Sequence, residues 1–74
     1  MNNYGVVLFY TASIVMRAEK ILIKYGLRIK LIPTPREFSS DCGTALRFEW
    51  DQAYRIQKLL EDAGVEIASM HPMQ

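Results

Sequence analysis

The sequence predicts an α+β fold, and three observations carry that prediction. Runs of alternating or continuous apolar residues exchange with runs of helical periodicity, this strand–helix pairing comes twice at similar length, and Gly or Pro stands at most of the boundaries. In order the elements read βαββαβ. Each helix is long enough to serve as a crossover, and such crossovers are right-handed almost without exception. The order matches the split-βαβ, ferredoxin-like architecture, a four-stranded antiparallel sheet with two helices on one face. Residues 1–74 form a single domain in this reading.

The first strand is "YGVVLFY", residues 4–10, apolar on both alternating faces as a central strand should be. Thr11 or Ser13 caps the helix that follows by accepting a bond from one of its unpaired N–H groups. Ile14, Ala18, Ile21, Leu22 and Tyr25 recur at helical spacing, Arg17, Glu19, Lys20 and Lys24 take the wet side, and Gly26 stops the helix. "LRIKLI", residues 27–32, sets Leu27, Ile29 and Leu31 against Arg28 and Lys30, a strand with one buried face. Pro33 and Pro35 end it. In "TALRFEW", residues 44–50, Thr44, Leu46, Phe48 and Trp50 oppose Ala45, Arg47 and Glu49. Asp51 caps a second helix with the stripe Ala53, Ile56, Leu60 and Ala63, Leu59 beside it, and Gly64 ends it. The last strand is "VEIAS", residues 65–69, with Val65 and Ile67 inward. The sheet face away from the helices carries Arg28, Lys30, Ala45, Arg47 and Glu49 and is the natural dimer surface.

Size sets the next constraint. A chain this short buries only about 60% of the surface its unfolded form exposes, so disulfides, a metal or self-association usually assist. One cysteine makes no internal disulfide, and with one histidine, His71, it makes no closed zinc site, so no metal or cofactor is expected. A homodimer is. Nine Lys/Arg against eight Asp/Glu leave a net charge of +1, which gives no general pull toward nucleic acid or an anionic membrane. The early apolar run lacks a preceding Lys or Arg and a cleavage pattern, and it is too short to span a bilayer. A lone cysteine then fits a reducing cytoplasm.

The stretch "PTPREFSSDCG", residues 33–43, joins two strands that two residues could connect. Long connections in compact domains are usually functional or disordered. Pro33, Pro35 and the local bonding capacity of Ser39, Ser40 and Asp41 argue for order. Gly43 permits a positive φ directly after Cys42, which turns the thiol outward or exposes N–H groups. A thiol titrates at about 8.5 and attacks as thiolate. Arg36 in the loop and Arg47 on the following strand favour that anion; Asp41 opposes them. The plainer reading is packing: Cys42 shares parity with Leu46 and Phe48, so a strand extended backward points it to the core. His71 reads as an exposed tail residue.

"LIPTPREFSSDCGTALRF", residues 31–48, together with the opening from residue 4, closely resembles a family of small bacterial and archaeal proteins called selenium/sulfur-carrier-like, over residues 4–69. The resemblance implies a carrier: Cys42 receives sulfur or selenium as a persulfide or selenosulfide from a cysteine desulfurase-like donor and passes it to an acceptor enzyme. Pro33, Thr34, Pro35, Arg36, Ser39, Ser40, Asp41 and Gly43 surround it in the motif. Better-understood sulfur carriers place Cys-Pro-x-Pro at a helix start. Here the prolines precede the cysteine and Gly43 follows it, so their mechanism does not transfer.

Three other classes compete. In a dimeric ligand- or protein-binding regulatory module, the loop recognises a partner and Cys42 merely packs. An RNA-recognition domain shares the strand order, but "CGTALRFEW" lacks the basic-glycine-aromatic signature. A thiol redox sensor would need a resolving cysteine from another chain.

Overall fold

The computed structural model of the protein describes residues 3–38 and 42–73. They build four strands, β1 (Tyr4–Leu8), β2 (Ile29–Pro33), β3 (Thr44–Glu49) and β4 (Ser69–Pro72), and two α-helices, α1 (Ala12–Lys24) and α2 (Ala53–Asp62). The strands form one antiparallel sheet in the order β2-β3-β1-β4. The fold is α+β, as the alternation of segments implies. Among the described residues no helix is long and apolar enough to cross a membrane.

Helix α1 starts as expected at Thr11, whose hydroxyl accepts from the Ile14 N–H at 3.3 Å. Its buried stripe is Val15, Ala18 and Leu22; Ala18 and Leu22 lie where the spacing puts them, and Val15 is buried beside them. Ile14 and Ile21 flank that stripe half-buried, and Tyr25 is half in solvent. Both helices stop in the same way. Gly26 and Gly64 take φ of +78° and +74°, and the N–H beyond each glycine reaches back to a carbonyl of the last turn: Leu27 to Leu22 at 3.0 Å, Val65 to Leu60 at 2.8 Å. These are Schellman ends, and the residue after each glycine is buried against the helix it closes. The helices are also tied crosswise. Arg17 Nη2 donates to the Ala63 carbonyl and Arg55 Nη2 to that of Tyr25, each cation sitting at the negative end of the other helix.

Several boundaries differ from the sequence reading. β2 begins at Ile29 rather than residue 27, because Leu27 closes α1, and Leu31, expected inward, is exposed on the edge strand. β1 stops at Leu8, two residues early. Pro33 does not end β2 from outside but is its last residue, paired with Thr44. β2 is an edge strand, where a missing N–H leaves no ladder bond unmade. Asp51 does not cap α2: residues Trp50–Gln52 form a 3₁₀ turn first, and Gln52 precedes the helix without a side-chain cap bond. The last strand is Ser69–Pro72 rather than residues 65–69, because Val65 is consumed in closing α2 and residues 66–68 return the chain to the sheet. His71 thereby pairs with Val6 inside the sheet instead of lying in a tail.

Each sheet face has its own cluster. On one, Val7, Phe9, Leu46 and Phe48 meet Val15, Ala18 and Leu22 of α1 and Ile56 and Leu60 of α2. Gly5 keeps this face flat, since a Cβ there would stand 2.5 Å from Trp50 Cε3 and 2.6 Å from Phe48 Cζ. The other face is not the open surface that the alternation suggests. Val6, Leu8 and Ala45 are buried there, covered by Phe38, Met73, Ala68 and Ile32. Its β2 side, with Arg28, Lys30, Arg47 and Glu49, stays open.

Candidate functional site

The neck of the loop between β2 and β3 is fastened by Thr34. Its N–H donates to the Gly43 carbonyl at 3.0 Å and its hydroxyl to the Cys42 carbonyl at 2.7 Å. The β2–β3 pairing thus runs past Pro33 and Thr44 to the residue that bears the thiol. Further out, the Phe38 N–H donates to the Pro35 carbonyl at 3.0 Å, a turn with Arg36 and Glu37 at its centre, both exposed. The turn aims Phe38 back over the sheet. Its ring stacks on His71, centroids 4.3 Å apart and planes within 11°. The His71 Nε2 lies 2.9 Å from the Ser69 hydroxyl, which fixes the imidazole from the strand side.

Cys42 is 4% exposed and belongs to the helix-side cluster with Phe9, Leu46 and Val65. The expectation of a thiol turned to water is corrected here. Parity decides it: Cys42 continues β3 backward, and even-numbered residues of that strand face the helices. The sulfur donates to the Thr44 carbonyl at 3.2 Å, so the thiol proton is engaged. Cys42 forms no disulfide.

Of the residues expected to support an anion on that sulfur, Arg47 is placed elsewhere. Arg47 stands on the opposite face of β3, paired with Lys30 and Val6, and its guanidinium lies 4.2 Å from the Tyr4 ring centroid. Arg36 points from the exposed turn. Gly43 does not take a positive φ, and a Cβ on it would meet nothing within 4 Å, so the backbone there is ordinary. Ser39, Ser40 and Asp41 lie outside the described residues. The structure brings together Thr34, Cys42 and Thr44, with Pro33 and Pro35 shaping the neck. Among the described residues no group of three His, Cys, Asp or Glu side chains could hold a metal ion.

Sequence reasoning missed Phe38 and His71, the pair that closes the second face. A lone aromatic in a polar loop was the available sign, because such a side chain needs an apolar surface to cover. A concavity of about 390 Å³ opens beside them, lined by Glu37, Phe38, His71, Pro72 and Met73.

A model of the family described as "putative Se/S carrier protein-like" matches residues 4–72 of the 74, and the chain belongs to that family. Neither a curated protein nor a solved structure matches it.

Proposed function

We propose that the protein carries a sulfur or selenium atom on Cys42 and hands it to a partner enzyme, acting as a carrier rather than as an independent enzyme. Family membership supports this reading, and the composition gives it an address: Cys42 is the only thiol in the chain. In loading, the Cys42 sulfur attacks the outer atom of a donor persulfide. The donor S–S bond breaks, a Cys42 persulfide forms, and the Cys42 proton ends on the departing donor thiol. A selenium atom transfers in the same way from a donor selenosulfide. No external oxidant is consumed in either case.

Burial gives this chemistry its particular form. Donor and thiol meet only when the segment around Cys42 opens locally, breaking the Thr34–Cys42 and Cys42–Thr44 bonds. Between transfers the closed form shelters a labile chalcogen from solvent reductants. We place this carrier in the ferredoxin-like class on its strand order and antiparallel pairing. A cytoplasmic setting and a homodimer accord with the lone cysteine and the small core.

The test is to incubate the protein with a cysteine desulfurase, supplied with cysteine or selenocysteine, and to weigh it intact. A gain of one sulfur or selenium atom, removed by dithiothreitol and absent from Cys42→Ser, is the expected result. No such gain ends the proposal.

One observation favours a second reading. At 4% exposure Cys42 packs like any small apolar residue, as in a binding module whose loop recognises a partner. Cys42→Ser would then keep every partner interaction, and the desulfurase would leave the mass unchanged.

A further inference from the structure

We infer that Arg28, Lys30 and Arg47 form a docking site for a carboxylate-bearing segment of a partner protein. Lys30 and Arg47 are directly paired across β2 and β3, so two cations stand side by side on one face of the sheet. Like charges placed directly opposite destabilise a sheet pair, so this arrangement costs stability in a very small domain. Arg28 lies two residues from Lys30 on the same strand parity and lines the same shallow concavity of about 180 Å³, with Tyr4 and Glu49. Three cations against one carboxylate leave a local excess of two positive charges (3 − 1 = 2), in a chain whose net charge is +1.

The site is also pre-shaped. The Arg47 guanidinium rests over the Tyr4 ring at 4.2 Å, which limits its rotamers and leaves less entropy to be lost on binding. A carboxylate between Lys30 and Arg47 turns their repulsion into two charge-assisted hydrogen bonds. Because β2 is an edge strand, the concavity is open to an extended segment lying alongside it. A nucleic acid fits less well. Tyr4 lies beneath Arg47, Phe38 and His71 are stacked on each other, and the net charge exerts little pull on a polyanion. This site stands whether or not Cys42 carries a chalcogen.

The test uses the full chain and a fluorescent hexaglutamate peptide, with anisotropy read at low salt. We expect binding that fades as salt rises, and a loss of about tenfold in affinity for each of K30Q and R28Q. K30Q should also melt at a higher temperature than the parent at low salt, because the like-charge pair is gone. Undiminished binding to both variants would overturn the inference. So would sulfate competing as well as the peptide at matched ionic strength, or a single-stranded oligonucleotide binding more tightly than the peptide.

Discussion

The two faces of β3 differ in what they present and in what covers them. Cys42, Leu46 and Phe48 turn to the helices, whereas Ala45 and Arg47 turn to the face that Phe38 and Met73 partly cover. Cys42 and Arg47 are five residues apart, and an odd separation along a strand sends two side chains to opposite faces. A cation that looks like a neighbour of the thiol in the sequence is therefore a neighbour of Tyr4 and Lys30 in space. The faces also differ in how they are closed: one by two helices, the other by the side chains of Phe38, Ala68 and Met73.

That difference predicts unequal sensitivity. The largest effect should come from the helix side. Phe48→Ala removes a fully buried ring that contacts Trp50 at 5.9 Å between centroids, and it should cost about 3–5 kcal/mol in urea unfolding. On the other face Phe38→Ala loses the His71 stack and uncovers Val6, Leu8 and Ala45. Phe38 is only half-buried, so the expected cost is about 1–2 kcal/mol by the same measurement. If the two substitutions cost the same, the ring is a more complete lid for its face than the burial indicates.

The smallest global effect is expected at the neck. Thr34→Val deletes the hydroxyl bond to the Cys42 carbonyl and should cost about 1 kcal/mol. It should raise the rate at which Cys42 reacts with a thiol reagent by more than this global loss explains. Thr34→Ser, which keeps the hydroxyl, should restore the slow rate. An unchanged rate in Thr34→Val would mean that the neck does not control access.

Much of this was legible in the residues. Period 2 in β3, period 3.6 in both helices, and Gly26 and Gly64 as stops all follow from local sequence. The parity of Cys42 with Leu46 already pointed to the core, and the pull of the loop toward an exposed thiol was the weaker argument. What could not be read is non-local. The last strand starts four residues later than its composition suggests, because Val65 serves as a helix end and not as sheet. The Phe38–His71 stack joins residues 33 positions apart, 71 − 38, and it takes both the β1–β4 register and the Pro35–Phe38 turn to bring them together. Gly43 invited a positive φ that the backbone does not need, since Thr34 already holds both carbonyls there.

The most direct measurement is the reaction rate of Cys42 with a thiol reagent across sub-denaturing urea. A carrier thiol kept in this core must be reached by local opening. The rate should therefore depend weakly on urea and report an opening free energy below that of global unfolding. If the rate instead follows the full unfolding transition, with its whole urea dependence, Cys42 is reached only when the domain is lost. The sulfur would then be part of the packing, and the carrier assignment would fail.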